Sequence, residues 1–280
     1  MKRHLFILML TVIAVKLSFA QHKQHLSQTK ISEDLYYSVV TDSIFMITHY
    51  FPFWGGNSLF VLLPDNKGML IDTPYENSGT ESLLSWIATE FGEIELTAII
   101  TGFHQDNLGG NEVLREKGID IYGPDLTRSL VINEGDSFKA FILKSVEKEE
   151  NKRYYESYTK LKLTPPNKLF PINDGLQLTL GDEIFEVYFP GESHTIDNTV
   201  VYLHKRRILF GGCMIKGIMY KSPGLMDYAN MEEWPGAVQK VMARFPECSY
   251  VVPGHGDYGG EELLSHTLKV LHEWQEKNKP

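Results

Sequence analysis

The sequence predicts an α/β protein with two mixed β-sheets and helices on the outside. Short strands occur in runs in both halves of the chain, helical segments are interspersed between them, and no Gly/Ser-rich linker separates the halves. The 280 residues are 42% apolar and 12% aromatic, which is ample material for a buried core. This composition excludes a disordered chain and a collagen-like repeat, and the presence of only two cysteines excludes a disulfide scaffold.

The sequence of the first half of the chain predicts a run of strands, followed by two helices with a further strand between them. The turn at residues 64–68 joins two strands as a hairpin, because Pro, Asp, Asn and Gly favour tight turns. Gly118 is expected to end the second helix, since glycine readily adopts the left-handed conformation that follows a last helical turn. The predicted strands are 35–40, 43–50, 58–63, 67–72 and 96–100, and the predicted helices are 81–91 and 108–117.

The second half repeats this organisation, and we expect residues 21–280 to form a single domain. Between the halves, residues 144–168 are charged, with Glu149 and Arg153 four residues apart and Glu156 and Lys160 likewise. That spacing predicts a solvated helix with ion pairs on one face. The predicted strands are 177–180, 184–189, 199–203, 207–210 and 249–252, and the predicted helices are 232–245 and 261–277.

Residues 1–20 have the pattern of a secretory signal peptide. Two basic residues precede a short apolar run at 5–15, and small residues Ser18 and Ala20 stand at the −3 and −1 positions of a cleavage site after Ala20. The run is too short and wrongly flanked for a membrane span. No cysteine follows the cleavage site that would carry a lipid anchor. We therefore expect export to the periplasm without a membrane anchor.

The charge of the chain limits its partners. The sequence has 27 basic and 36 acidic residues, which gives a formal net charge of −9. A general nucleic-acid binder is excluded, because binding by counterion release needs a basic surface. An anionic small molecule is compatible with the sequence, but it needs a local positive site.

Four segments with glycine follow predicted strand ends, and each carries a side chain that can bind a metal. Binding groups collect at this edge in α/β folds, where loops supply chemistry on a rigid base. A lone histidine is more often hydrogen-bonded or exposed, and a lone cysteine is usually a small buried apolar group. Together, however, imidazole, thiolate and carboxylate are the ligands that zinc accepts, so the set predicts a zinc site. Its members are His104, Asp106, His194, Cys213 and His255.

The motifs around these residues run in order along nearly the whole chain after residue 20. They are His104-x-Asp106 with Gly109-Gly110, Gly191-x-x-His194-Thr195-x-Asp197-Asn198, Gly211-Gly212-Cys213-x-x-Lys216, and Pro253-Gly254-His255-Gly256. This set resembles the metallo-β-lactamase family. The resemblance implies an αββα sandwich with zinc at one edge, and hydrolysis of the β-lactam amide bond. Glyoxalase-like and lactonase-like relatives generally carry Asp at the position of Cys213 and His at the position of Asn107.

One position departs from the family's common zinc subclass, which reads His-x-His-x-Asp. Gly102 stands where the first of those histidines completes a three-His site, so that site keeps only His104 and His194. A further subclass has Asn at this position; it works with a single zinc in the Asp-Cys-His site and favours carbapenems. The resemblance therefore implies a carbapenem preference.

The chemistry of the two donor sets also predicts that the Asp-Cys-His set binds zinc more tightly than the pair of histidines. Asp106, Cys213 and His255 form an anionic set of three protein ligands with one open position, as in a catalytic zinc site. A pair of imidazoles is neutral and binds a cation more weakly. We predict one tight zinc in the first set. His104 and His194 either hold a second zinc weakly or, without metal, position or deprotonate the attacking water with help from Asp106.

Two further features are predicted to bind substrate. Lys216 matches the family position that pairs with the substrate carboxylate, which would supply the local positive site. The aromatic residues within 50–57, among them Phe53 and Trp54, stand beside a Gly-Gly pair and predict an apolar flap that closes on a ligand. Packing of those rings into the core is the alternative. Family members carry a mobile hairpin loop at this place.

Three smaller predictions complete the sequence analysis. Asp72 ends a strand and is expected to be a local cap or a group that supports the site from behind. Cys213 and Cys248 could pair in an oxidising compartment, which the sequence does not decide. The apolar surroundings of Cys248 favour a buried, inert thiol.

Two other functions stay open at this level. One is a hydrolase of the same fold that acts on a lactone, thioester or phosphodiester. Gly102 and the absence of the family's usual Asn within 222–226 favour it, whereas Cys213-x-x-Lys216 argues against it. The other is a zinc-binding protein that lost turnover together with its third histidine. The resemblance also implies a monomer that acts on a small-molecule β-lactam.

Overall fold

The computed structural model describes residues 26–51 and 55–279. The predicted signal peptide and the rings of Phe53 and Trp54 lie outside the described residues. Among the helices of the described ranges, none has the length and apolar character needed to cross a membrane.

The first half of the chain forms one mixed sheet with helices against it. Strands β1 to β5 pair antiparallel in chain order, and β6, β7 and β8 extend the sheet in parallel from β5. The strands are β1 (Thr29–Lys30), β2 (Leu35–Thr41), β3 (Ile44–Tyr50), β4 (Gly55–Leu63), β5 (Lys67–Ile71), β6 (Glu95–Ile99), β7 (Asp120–Pro124) and β8 (Lys168–Phe170). The helices are α1 (Asn77–Phe91), α2 (Gln105–Leu108), α3 (Asn111–Glu116), α4 (Asp125–Ser145), a short 3₁₀ helix (Glu149–Asn151) and α5 (Lys152–Lys160).

The second half forms a sheet in the order β13-β12-β11-β10-β9, in which only β12 and β13 run parallel. Its strands are β9 (Leu176–Leu180), β10 (Glu183–Tyr188), β11 (Val200–Leu203), β12 (Ile208–Lys216) and β13 (Tyr250–His255), and its helices are α6 (Trp234–Arg244) and α7 (Glu262–Lys277). In the part of the chain that the structure describes, one residue pair, His255 with Gly56 of β4, joins the two sheets edge to edge.

Alternation along the strands sends neighbouring side chains into different cores. Leu59 of β4 packs into a cluster shared by both sheets, whereas the next residue, Phe60, packs against α1 and α4 on the outer face. In the second sheet, Phe210 belongs to the shared cluster and Leu209 packs against Trp234 of α6. Because side chains alternate along a strand, each sheet buries both faces, one against the other sheet and one against helices. The predicted αββα sandwich is confirmed.

Most predicted strands and helices are present, and the differences are local. The sequence analysis did not predict β7, β8 or the 21-residue helix α4. The predicted helix 108–117 is divided into α2 and α3 at Gly109-Gly110, where the chain passes close to α1. A Cβ built on Gly110 would lie 1.8 Å from Oγ1 of Thr80, so this approach requires glycine.

The charged segment 144–168 contains a helix as predicted, but its ion pairs differ from the prediction. Arg153 of α5 pairs with Glu33 and Asp34 near the start of β2, not with Glu149. Tyr158 of the same helix is 1% exposed and packs in the core. The helix is therefore anchored to the body of the protein by its aromatic face and by Arg153.

We expect Gly110→Ala to destabilise the fold by about 1–3 kcal/mol or more, because the added methyl group overlaps Thr80 and forces the two helices apart. Gly236→Ala in α6 is the matched control: no atom lies within 4 Å of its added Cβ, so a gain of about 0.5–1 kcal/mol is expected from helix propensity. Urea unfolding measures both. Equal stability of the two variants would contradict the proposed close approach.

Candidate metal centre

Asp106, Cys213 and His255 converge at the edge where the two sheets meet. Asp106 is in the first turn of α2, Cys213 is in β12, and His255 is the last residue of β13. Their ligand atoms all lie within 4.8 Å of one another. Among the residues that the structure describes, this is the set of His, Cys, Asp or Glu donors close enough to hold one metal ion.

Cys213 lies inside a strand, which differs from the loop that the sequence predicted. Strand β12 continues to Lys216, past the predicted end at residue 210, and its pairing with β13 is interrupted by register shifts around Gly212. Gly212 has a φ of +51°, a left-handed conformation that favours glycine. This irregularity lets the strand bring Cys213 to the site while residues 208–210, Gly212 and Lys216 stay paired with β13.

The Asp106 carboxylate is the centre of the set. Its Oδ2 lies 3.1 Å from Sγ of Cys213 and 3.0 Å from Nε2 of His255. Burial opposes the ionisation of Asp106, but the hydrogen bond and charge of His255, together with His104 and Cys213, hold its pKa well below the ordinary value. Burial and the Asp106 carboxylate raise the pKa of the Cys213 thiol well above its ordinary value. Without metal, the thiol proton therefore bridges Cys213 to Asp106.

The His255 ring shows why a cation fits here. Its Nδ1 lies 3.0 Å from the carbonyl oxygen of Gly55, an acceptor, so Nδ1 carries a proton and Nε2 of a neutral ring presents a lone pair. That lone pair faces the anionic Oδ2 of Asp106, and two acceptors at 3.0 Å need a proton or a cation between them. The donor set is one thiol, one carboxylate and one imidazole, which suits zinc when the thiol is deprotonated.

His104 and His194 form a second, separate pair. Both are buried, and their rings meet edge to face with centroids 5.3 Å apart. Nε2 of His104 and Nδ1 of His194 are buried without a hydrogen-bond partner among the described residues. Burial lowers the pKa of His104 to about 4 and lowers that of His194 well below its ordinary value, so both rings are neutral at pH 7.

The space beside Gly102, where the family's common subclass carries a further histidine, is filled in this chain. A Cβ built on Gly102 would lie 2.5 Å from Nδ2 of Asn198 and 3.2 Å from Oδ1 of Asn107. The Asn198 side chain is held there because its Oδ1 accepts a hydrogen bond from the backbone N–H of Thr195. A third imidazole would have to displace this amide.

Aromatic side chains pack around the His104 ring, and the sequence did not predict them. Phe138 of α4 stacks on the His104 ring at a centroid distance of 4.5 Å and an interplanar angle of 7°. Phe103 and Tyr228 approach the same ring at 4.8 and 5.7 Å. One face of the imidazole is thereby covered by carbon. This packing was difficult to predict from the sequence, because α4 would first have to be recognised as a helix and then placed over the site.

Buried carboxylates hold the loops that carry the candidate residues. Asp72 accepts hydrogen bonds from the backbone N–H and the hydroxyl of Thr101 and from Nδ2 of Asn107. Burial raises the pKa of Asp72 to about 8, and these hydrogen bonds oppose that shift. Asp72 thus supports the segment 101–107 from behind, in agreement with one of the two roles expected for it.

Asp197 performs the same task for the segment of His194. It accepts hydrogen bonds from the hydroxyls of Thr195 and Thr127, and Thr127 lies in the first turn of α4. The helix that bears Phe138 is therefore tied directly to the loop that bears His194. This connection was not visible in the sequence.

Lys216 ends β12 beside the candidate centre. Its side chain is buried, and Nζ lies 5.0 Å from the centre of the Trp234 ring, where the aromatic face stabilises the cation. Burial lowers the pKa of Lys216 to about 8, and the Cys213 and Asp106 charges oppose the shift. The lysine therefore keeps its charge at neutral pH.

At the aromatic loop, the structure describes Tyr50, Phe51 and the residues from Gly55 onward. Phe51 packs in the core against Tyr154 and Tyr158, and its carbonyl oxygen accepts a hydrogen bond from the Tyr158 hydroxyl. This ring follows the core-packing alternative. The flap predicted for Phe53 and Trp54 lies outside the described residues.

Both cysteines are free thiols. Cys248 is buried and donates to the carbonyl oxygen of Phe245, as expected for an inert thiol, whereas Cys213 faces Asp106. The sulfur of Cys213 is thus available as a ligand.

Known proteins with the same sequence pattern and fold identify the family. A metallo-beta-lactamase type 2 from Bacteroides fragilis is 30% identical over 251 residues, 88% of this chain and 89% of that protein. Another, from Bacillus cereus, is 31% identical over 212 residues, 75% and 72% of the two chains. A solved metallo-beta-lactamase from Pontibacter korlensis has a TM-score of 0.72 at 30% identity and covers 85% of this chain and 99% of its own. No family model matches the sequence.

These similarities extend over most of each chain. They are accompanied by the αββα fold and by a donor set at its edge that suits zinc. The chain belongs to the metallo-β-lactamase family, a family of zinc-dependent hydrolases, and is an enzyme of that family.

We expect Cys213→Ser to lower zinc affinity by more than the roughly 10–100-fold that loss of a supporting contact costs, because a serine hydroxyl does not ionise near neutral pH. Cys248→Ser is the matched control and should bind zinc as the unmodified protein does. Competition with a chromophoric chelator measures both. A Cys213→Ser protein with unchanged affinity would remove the thiol from the candidate set.

Proposed function

We propose that this enzyme hydrolyses the amide bond of β-lactams with one tightly bound zinc held by Asp106, Cys213 and His255. The observation that carries the proposal is the convergence of these three donors within 4.8 Å, in a chain of the metallo-β-lactamase family. The set carries one carboxylate and one ionisable thiol, so it attracts a divalent cation more strongly than a pair of neutral imidazoles does.

The proposal of a single tight zinc is supported by the surroundings of the other two histidines. The Asn198 amide fills the space beside Gly102, and Phe138 covers one face of His104. Two neutral imidazoles without a third protein ligand would hold a second zinc weakly. The preference for carbapenems is proposed from the resemblance to the subclass that also lacks the first histidine.

Zinc bound in this set supplies a Lewis acid that polarises the lactam group and makes water more acidic. The protein's own contribution lies in His104 and His194. Their rings are neutral at pH 7 and present buried nitrogen atoms without protein partners, so they can accept a hydrogen bond from the attacking water and orient it. With a pKa near 4, His104 is a weak base, so it is better suited to orient the attacking water than to accept its proton. Asp106 remains a carboxylate and can take part in the same hydrogen-bond network.

Lys216 is proposed to bind the carboxylate that β-lactams carry. It is a buried cation at the end of β12, three residues from Cys213, and its pKa near 8 leaves it charged at neutral pH. The protein has a formal charge of −9, so this local cation provides the electrostatic attraction that an anionic substrate needs to bind at the centre. Phe53 and Trp54 are proposed as apolar contacts to the substrate.

Export to the periplasm and a monomeric state complete the proposal. Export rests on the pattern of residues 1–20, and the monomer rests on the family resemblance. A small-molecule substrate fits the curated relatives, which are named metallo-beta-lactamases.

The purified protein, dialysed and then loaded with zinc, should retain one zinc per chain and hydrolyse a carbapenem faster than a cephalosporin or a penicillin. Atomic absorption after dialysis and the loss of the lactam absorbance measure these two quantities. Two retained zinc ions and broad turnover would contradict the single-zinc proposal. Zinc retention without turnover of any β-lactam would instead favour another substrate of the same fold, such as a lactone or thioester, or a binding role.

We expect Gly102→His to raise affinity for a second zinc, because it restores a third imidazole beside His104 and His194. The gain requires the Asn198 amide to move, since the new Cβ would lie 2.5 Å from its Nδ2. Gly102→Ala is the control, because it creates the same overlap without a ligand. Zinc titration by calorimetry distinguishes the two, and identical titration curves would count against the placement of this second site.

A further inference from the structure

Asn57 of β4 contacts the candidate ligand segment from the opposite sheet. Its side chain is 2% exposed, and its Nδ2 donates to two carbonyl oxygens, that of Pro253 at 2.9 Å and that of Gly256 at 2.7 Å. These carbonyl groups lie two residues before and one residue after His255. One amide group therefore spans the backbone on both sides of a candidate metal ligand.

A third hydrogen bond holds the other end of this amide. The Thr48 hydroxyl of β3 donates to Oδ1 of Asn57 at 2.9 Å. The carbonyl groups of Pro253 and Gly256 can only accept, so they require the NH₂ group of Asn57 to face them, and Thr48 then satisfies the oxygen on the other side. All three hydrogen bonds are thus satisfied in one rotamer only.

Strand β12 pairs with this segment on one side, at Pro253 and His255, but the backbone of the first sheet holds it at few points. Strand β13 pairs with β4 at the single position His255–Gly56, and the His255 ring adds one contact, from Nδ1 to the carbonyl oxygen of Gly55. Three consecutive residues of β4, from Gly55 to Asn57, therefore supply the ring contact, the backbone pair and the two side-chain hydrogen bonds. Of these contacts from the first sheet, those of Asn57 reach the backbone both before and after His255.

We infer that Asn57 is a positioning residue for the metal centre: with Thr48 it holds the 253–256 segment so that Nε2 of His255 points at Asp106. This inference rests on the proposed zinc ligation by His255. Metal ligands are oriented by the hydrogen bonds of their own supporting groups, and loss of such a group typically weakens metal binding by about 10–100-fold.

The test replaces Asn57 with aspartate, which keeps the shape but removes the two N–H donors and turns an oxygen toward the carbonyl groups. We expect Asn57→Asp to raise the zinc dissociation constant by about 10–100-fold and to alter the visible absorption of the Co²⁺-loaded protein, which reports ligand geometry. Thr48→Val, which removes the hydrogen bond to Oδ1 and loosens the amide without removing it, should shift both quantities in the same direction by less.

Asn111→Asp is the matched control. Asn111 is a fully buried asparagine whose Nδ2 donates to the carbonyl oxygen of Thr164, away from the candidate centre. The same exchange there should leave the zinc dissociation constant and the cobalt spectrum unchanged, although it costs stability.

The inference is wrong if both Asn57→Asp and Thr48→Val keep the unmodified affinity and spectrum, or if Asn111→Asp weakens zinc binding as much as Asn57→Asp does. If Asn57→Asp does not fold, Thr48→Val carries the test alone. Neither readout requires turnover of a β-lactam. An unmodified protein that binds no zinc would overturn the proposed centre itself, whereas one that binds zinc regardless of Asn57 overturns only this inference.

Discussion

The buried carboxylate of Asp106 is the group on which the rest of the candidate centre depends. It is an anion removed from water, so it requires positive charge or donated protons at close range. Cys213 and His255 reach it from the second sheet, and both contacts end on the same oxygen atom. A zinc ion placed among the three would replace the bridging protons, which links metal binding to proton release.

The geometry of the centre follows from how the two halves of the chain meet. Among the described residues the two sheets share one backbone pair, and hydrogen bonds from the side chains around that pair add to the connection between the sheets. Asp72 and Asp197, each buried and hydrogen-bonded to threonine hydroxyls, hold the loops of the first and second half in the same manner. Polar contacts that are fully satisfied inside the fold therefore position the donors, while the apolar clusters supply most of the stability.

The sequence was sufficient for the fold class and for the location of the donors. Strand patterns and turns predicted two sheets with helices outside, and the resemblance of the motifs implied the αββα sandwich. The rule that binding groups collect at strand ends predicted that the candidate donors, Asp106, Cys213 and His255 among them, meet. It failed where tertiary contacts decide. Helix α4 carries polar residues and Gly135 in its sequence and has no strong start or stop signal, so neither the helix nor the stacking of Phe138 on His104 was foreseen. The irregularity that keeps Cys213 within a strand and the amide of Asn57 likewise depend on partners more than forty residues away.

The replacement at Gly102 changes more than the number of imidazoles. A glycine there allows the Asn198 amide to occupy the adjacent space, and the remaining His104 is packed between Phe138, Phe103, Tyr228 and His194. Burial among rings favours a neutral imidazole and makes a second dication beside it costly, and Asp106 is the carboxylate whose charge opposes this effect at both His104 and His194. The carboxylate and the thiol both belong to the other donor set. The distribution of charge, and not only the count of ligands, thus supports the proposal of a single cation at Asp106, Cys213 and His255.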